Sequence, residues 1–551
     1  MKFRYIFYLF FLGTSVSFGQ NYTISWQRTI GGNNSDKLTK LITTTDGGAV
    51  LCGYSNSDIS GDKKQNSLKG SYDFWVVKIS LTGATQWSKT YGGTDRDLNP
   101  SIIQTSDGGY LLGGSSISPA SGKKTEDAIN QSFDYWVLKL DKAGNVIWDN
   151  TIGGIQFEKF ATVLETSTAY FVCGSSNSTI SNDKTVDNEG SSLWPDYWVI
   201  KMNKSGGILW DSVYGNTNRD ELTSAVVATD GGILLGGSSY SPRGGTKKDD
   251  YIGNNDFWII KINSDGQRLW DRTLGGTLSD YLTSIDVVGN IGYILGGYSN
   301  SPASANKTDG CRGGTDYWII RTDKAGVPLW NKTFGGSKED YLTSVKYISG
   351  KYLLGGYSNS PVSKDKTVPL KGGWDFWTLQ LDKNGSIEQQ YDWGGSGDDY
   401  LTDYVPNGTE YMLAGTSNSP KSGDKKAGTV GNTGNNDFWV FKLSTGGALA
   451  NNNITDSIVV NATSTEILKS PMSLNVTPNP VKDMLTLNYS TNSHGNVSIS
   501  VYSNSGRLIK QQALSQSSGN FALDFSAQPS GIYYAVLQSG TSTVTKKFVK
   551  N

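Results

Sequence analysis

The residues able to do chemistry in this chain fall into three sets. Seven acids follow a Gly-Gly-x-x-x spacing: Asp36, Asp97, Glu158, Asp220, Asp280, Asp340 and Asp399, with Gly215-Asn216 replacing the glycine pair in one copy. Seven lysines (Lys63, Lys124, Lys184, Lys247, Lys307, Lys366 and Lys425) each stand six residues after a serine, at Ser57, Ser118, Ser178, Ser241, Ser301, Ser360 and Ser419. The third set is three tryptophans out of step with the other thirteen: Trp194, Trp374 and Trp393. Carboxylates about 5–10 Å apart suit glycoside hydrolysis, and rings of acids or lysines could hold calcium or an acidic polysaccharide. Flat aromatic rings in polar loops can stack on sugars or plug gaps between loops. Trp194 and Trp374 lie just before an aspartate that opens a strand-like run, and Tyr72 and Phe133 hold similar places in the first two units. Arg243 and Arg312 are loop arginines without counterparts in the other units, and such a group could neutralise a uronate.

Composition narrows the chemistry. The single histidine, His494, rules out Ser-His-Asp and Cys-His relays, His-rich zinc sites and a histidine-ligated haem anywhere before it. Basic and acidic residues nearly cancel at 49 and 50, which argues against a nucleic-acid binder. Asp62 and Asp424 sit in Ser-Gly-Asp-Lys segments, but no row of alternating acids occurs and the adjacent lysines oppose a cation, so no metal or cofactor is expected. The three cysteines (Cys52, Cys173, Cys311) are too sparse for a disulfide framework, and Cys52 and Cys173 replace Gly or Ala of sister repeats, as small buried residues do.

The elements that must position these groups repeat. Asp-Phe/Tyr-Trp recurs at Asp73, Asp134, Asp196, Asp256, Asp316, Asp375 and Asp437, 59–62 residues apart. Each unit holds four strand-like runs; in the sixth they are 342–348, 352–357, 375–381 and a run around 387–391, with turns at Ser349-Gly350 and Asp382-Lys-Asn-Gly385. Four antiparallel strands repeated seven times fit a seven-bladed β-propeller over 20–448, in preference to an open solenoid or two sandwiches. The first run, Tyr22–Ile30, has no three strands before it and the last unit lacks a fourth, so the amino-terminal strand is expected to clasp the ring. Strand alternation puts the Gly-Gly segments, the acids and the long polar loops with their lysines on one face. A feature present in every blade is more often what a blade needs in order to form, so both rings are read as structural: Asp capping backbone N–H groups and Lys pairing with a carboxylate. Seven tryptophans of Asp-Phe/Tyr-Trp and six more (Trp26, Trp87, Trp148, Trp210, Trp270, Trp330) are read as inter-blade packing.

The two ends concern address. Residues 1–19 have a basic start (Lys2, Arg4), a short apolar run and a small-x-small site at Ser17-Phe-Gly19, the pattern of a cleaved secretory signal. No later stretch is long and apolar enough to predict a transmembrane helix. Residues 449–470 are Asn/Thr/Ser-rich and read as a linker. From 471 to 551 short alternating runs predict a small Ig-like β-sandwich. With Thr477-Pro-Asn-Pro480, Ser505-Gly-Arg507, Pro529-Ser-Gly-Ile-Tyr533 and Lys546-Lys-Phe-Val-Lys550, this segment resembles the type A sorting domain of the Bacteroidetes type IX secretion system. The resemblance implies handling by that machinery, passage across both membranes, removal of the domain, and release or surface anchoring. The repeats also resemble secreted Bacteroidetes propeller proteins, a likeness that implies no activity.

The expected function is non-catalytic binding of a glycan or protein through the long-loop face. The alternatives are a polysaccharide-active enzyme, hydrolase or lyase, built on the ring acids or on Asp249 and Asp250, and a purely structural surface or matrix protein.

Overall fold

The computed structural model describes residues 22–190, 193–408, 410–432, 434–445, 473–491, 497–503, 508–514, 516, 518–539 and 542–551. The expected signal segment, the linker and His494 lie outside the described residues. The chain divides into two compact units, Met1–Ala450 and Asn451–Asn551.

The first unit is a seven-bladed β-propeller of four-stranded antiparallel sheets. Blade 1 is built from Asp36–Thr43, Ala49–Ser55, Asp73–Ile79 and Thr85–Tyr91 in spatial order, and the next five blades repeat this meander. Blade 7 takes three strands from the end of the repeat region, Asp399–Asn407, Glu410–Ser417 and Asp437–Thr445. Its outer strand is the amino-terminal Tyr22–Ile30, antiparallel from Tyr22↔Thr445 to Ile30↔Phe438 with a bulge between Ile24 and Trp26. The ring thus closes as its unmatched ends predicted. Closure pairs the exposed edge that the last blade would otherwise present.

The hydrophobic core is distributed between blades. Each inner strand packs on the preceding blade, including the Asp36 strand on blade 7. The apolar side chains gather into seven clusters among the described residues, one per blade junction. The third strands (Asp73–Ile79, Asp134–Leu140 and their equivalents) are buried along their whole length because they are covered on both sides, which explains the apolar runs Phe74–Val77 and Tyr135–Leu138 between the opening aspartate and the lysine. Trp75, Trp136, Trp198, Trp258, Trp318, Trp377 and Trp439 are fully buried. Each meets an aromatic ring of the preceding blade, as Trp75 meets Phe438 at 4.9 Å and Trp136 meets Phe74 at 5.3 Å. The six outer-strand tryptophans are half-buried against the same clusters. Cys52 and Cys173 are buried in these clusters and all three cysteines are free.

Between the third and fourth strands the turns are tight. In blade 6, Gly385 (φ +79°) donates to the Asp382 carbonyl while the Asp382 carboxylate accepts the Asn384 and Ser386 N–H groups, a conformation that favours glycine at the last turn position.

The second unit is an Ig-like sandwich. One sheet holds Ser473–Thr477, Met484–Ser490 and Ser518–Asp524; the other orders Leu508–Leu514, Val497–Ser503, Gly531–Ser539 and Ser542–Lys550. Leu485, Leu487, Ile499, Val501, Phe525, Tyr533 and Phe548 form its core. The Tyr533 hydroxyl donates to the Pro529 carbonyl at 2.8 Å, fixing the bend of Pro529-Ser-Gly-Ile-Tyr533.

Candidate functional site

The repeated acids and lysines meet at the blade junctions. Each ring acid is the first residue of an inner strand rather than a loop residue, and it lies beside the aspartate that opens the third strand of the preceding blade. All fourteen acids are fully buried, and the seven lysines nearly so. At the junction of blades 7 and 1, Asp36 accepts the Gly32 N–H at 2.7 Å and the Ser57 hydroxyl at 3.3 Å, and Asp437 accepts the Val430 N–H at 2.6 Å. Lys63 donates to Ser55 and Ser67 at 2.9 and 2.6 Å. Ser57 in turn accepts the Asn34 N–H at 2.9 Å, tying the long loop to the Gly-Gly segment.

The same packing explains the glycines. A Cβ on Gly31 or Gly92 would fall 1.9 or 2.2 Å from the carboxylate of Asp437 or Asp73, and one on Gly32 would strike Ser57 at 2.5 Å. Where Asn216 replaces the second glycine, Gly244 stands where other blades have Ser60 or Ser121, so a larger residue on one side is matched by a smaller one on the other.

Burial pushes the third-strand acids up: Asp73, Asp134 and Asp437 to about 8, with the neighbouring ring acid adding to the rise. Burial also brings Lys63 down to about 8 against the pull of Asp36 and Asp73. These rings are internal supports, out of reach of any macromolecular substrate. The ring acids considered above for hydrolysis are therefore sealed in the fold, whereas Asp249 is half-buried and Asp250 exposed. Asp249 accepts the backbone N–H of Thr273 in the outer strand Arg268–Leu274, and Asp250 those of Arg243 and Tyr251 in its own loop. Asp62 pairs with Arg28 at 2.9 Å and Asp424 with Lys371 at 3.1 Å. Among the described residues no cluster of three or more metal-ligating side chains occurs.

The unpaired aromatics separate in space. Trp393 is 7 % exposed, ends the outer strand Ile387–Trp393, stacks on Tyr391 at 5.2 Å and meets the tilted Phe441 ring at 5.6 Å. This corrects its reading as a ligand residue: Tyr91, Ile152, Tyr214, Leu274 and Phe334 fill the same core position in sister blades. Arg312 is also committed to the fold, bound to Asp309 and to Asp365 of the next blade at 2.8 Å each. Arg243 is exposed. Trp194, 48 % exposed, stands with Leu193 on the blade 3 loop. Tyr72 packs edge-on to Tyr54 at 5.4 Å, and Phe133 contacts Phe157 at 5.6 Å under the Arg96 guanidinium.

Trp374 is at the centre of a larger assembly. Its carbonyl accepts the Asp399 N–H at 2.6 Å, which fixes its place at the junction of blades 6 and 7. Its ring lies 5.8 Å from Tyr341, 5.4 Å from Tyr357 and 6.2 Å from Tyr400, and Tyr298 and Tyr281 continue the series at 4.9 and 5.3 Å. These six half-buried rings form an arc over blades 5, 6 and 7 on the long-loop face. The arc was missed in the sequence, although a signal exists: the residue after the ring acid is Tyr in the last three units but Lys37, Leu98, Lys159 and Glu221 in the first four.

The arc borders the central channel. Tyr357 and Tyr400 line a cavity of about 360 Å³ that shares Thr39, Thr283, Thr343 and Thr402 with a deeper one of about 470 Å³. These threonines bridge blades around the axis, as Thr343 donates to Leu401 O at 3.0 Å and Thr402 to Leu38 O at 3.1 Å. The deeper cavity is lined by Lys40, Lys159, Lys346 and Asp403 as its charged groups. Asp403 meets Lys40 at 2.8 Å and the Ser344 hydroxyl at 2.7 Å. Burial acts to raise its pKa, but Lys40 and Lys346 hold it below the usual carboxylate range.

Comparison with known proteins bears on the two units separately. A family model described as the secretion system C-terminal sorting domain matches residues 475–551. The regulatory protein FlaEY of Caulobacter vibrioides is 23 % identical over 444 residues, covering 73 % of this chain and 46 % of that protein, so the chain spans about half the length of the curated relative it matches. Among solved structures, a protein of unknown function from Dyadobacter fermentans aligns with TM-score 0.39 and 11 % identity over 77 % of this chain and 99 % of that one. The Neurospora crassa Pan2 WD40 domain aligns with TM-score 0.40 and 6 % identity over 78 % and 97 %. PorZ, a surface component of the Porphyromonas gingivalis type IX secretion system, aligns with TM-score 0.31 and 10 % identity over 96 % and 75 %.

Proposed function

We propose that this is a non-catalytic propeller that binds glycan at the mouth of its central channel on the long-loop face. Its carboxy-terminal sorting domain directs the chain to secretion or to the outer surface, where polysaccharide is an abundant ligand. The observation that carries the reading is the six-ring aromatic arc around Trp374, which departs from the sevenfold repeat and borders an open channel. Ring faces of this kind offer sugar C–H groups a rigid apolar platform at small entropic cost. Burial of the ring acids supports binding over hydrolysis, since a general acid must touch the glycosidic oxygen. A glycan array probed with the intact protein and with Trp374→Ala tests it: the parent binds a defined saccharide class and the variant loses roughly tenfold or more in affinity. No saccharide bound, or equal binding by the variant, overturns it. Release of new reducing ends from a bound polysaccharide would replace it with the enzyme reading.

A further inference from the structure

The channel is asymmetric in charge as well as in aromaticity. Among the charged groups lining the deeper cavity, three are ammonium and one is carboxylate. Asp403 is shared by Lys40 and Lys346, and outside the cavity Glu221 is shared by Lys159, at 3.1 Å, and Arg219. Each carboxylate thus faces two cations, and positive charge is left over at both levels. At the rim the exposed Lys37 adds to it, next to the Tyr54–Tyr72 pair. Lys37 and Lys40 belong to blade 1 and Lys159 to blade 3, whereas the aromatic wall of Tyr281, Tyr341, Tyr357, Tyr400 and Trp374 stands on blades 5 to 7, with Lys346 farther along the Tyr341 strand beneath it. A ligand filling both halves needs an apolar ring face on one side and an anionic group on the other.

Resting on the glycan reading above, we infer that the channel mouth selects acidic saccharides, with a uronate ring lying on the Trp374–Tyr357–Tyr400 wall and its carboxylate directed to Lys159, Lys346 and Lys40. Lys37 and Lys159 occupy the position after the ring acid at which the last three units carry Tyr, while Lys40 and Lys346 lie farther along their inner strands. Threonine hydroxyls that stitch the blades leave a polar floor between the two arcs. Positive charge in a recess with low-dielectric walls concentrates anions and strengthens each charge-assisted contact relative to open solvent. No covalent change in the saccharide is involved.

The test is calorimetric titration of the intact protein with tetragalacturonate, with its methyl ester, and with the neutral cellotetraose. Tetragalacturonate is expected to bind, with the ester and the neutral tetramer weaker by roughly tenfold or more. Its affinity is expected to fall as salt rises toward about 0.5 M, where screening shortens to a few Å. Lys346→Gln and Lys159→Gln should each weaken the acid form while leaving the neutral tetramer unchanged. Their thermal melts, matched to the parent, show whether either substitution disturbs the fold. Equal binding of acid and ester, or lysine variants that fold and bind like the parent, overturns acidic selectivity and leaves glycan binding standing. Failure of all three ligands, with none retained in a wider saccharide panel, overturns both.

Discussion

At each blade junction two buried carboxyl groups and one buried ammonium come together. With both acids ionised, a net negative charge would sit where desolvation is severe; one retained proton makes the group neutral. The structure leaves the matching oxygens, Asp36 Oδ1 and Asp437 Oδ1 or Asp73 Oδ1 and Asp97 Oδ1, without another partner. A proton held between them satisfies both. The consequence for stability has a definite sign. Asp73, Asp134, Asp375 and Asp437 are raised to about 8 in the folded chain, so the stability they contribute is complete below the unfolded value near 4 and is lost as pH rises through about 8. The denaturant midpoint should therefore fall from about pH 5 to about pH 8. An infrared band of protonated carboxyl should persist at neutral pH and weaken over the upper part of that range. Asp73→Asn should flatten the dependence in proportion to one junction. A midpoint that rises steadily across this interval would refute the shared proton.

The strand is the unit at which the ring holds together. Tyr22–Ile30 supplies the outer edge of blade 7, and its removal would bare the third strand Asp437–Thr445, whose paired residues include the core side chains Phe438, Val440 and Phe441. Deleting residues 22–30 should lower the melting temperature sharply and cause aggregation, read by calorimetry and by light scattering after gel filtration. Unchanged melting of a monodisperse truncated protein would show that the clasp is dispensable. The inner strands serve a second purpose. Each begins with the acid that fixes the junction, and its next residue faces the channel mouth. A single strand start therefore combines a constant structural group with a variable exposed one, which is why function-like variation lies directly beside strict repetition.

For the whole molecule, the two units divide the work. The propeller carries the channel, and the carboxy-terminal sandwich, matched to a sorting domain, carries the address. Removing residues 473–551 should retain the protein in the periplasm; appearance of the truncated chain in the medium or at the surface would break the assignment. The sequence by itself determined the architecture. A propeller is a near one-dimensional array, so the Asp-Phe/Tyr-Trp period, the hairpin turns and the unmatched Tyr22–Ile30 strand state blade number and closure through local pattern. The structural role of the acids and lysines was also legible from their presence in every unit. Their depth was not, because Asp36 looks like a loop residue until the neighbouring blade covers it. Trp393 misled for the same reason: it follows the last residue assigned to the outer strand, and only the next blade makes it core. The aromatic arc and its opposing lysines were decided by the tertiary structure alone. Tyr341, Tyr357 and Tyr400 come from blades 6 and 7, Lys40 and Lys159 from blades 1 and 3, and residues so distant in sequence meet only when inter-blade packing curves seven sheets around one axis.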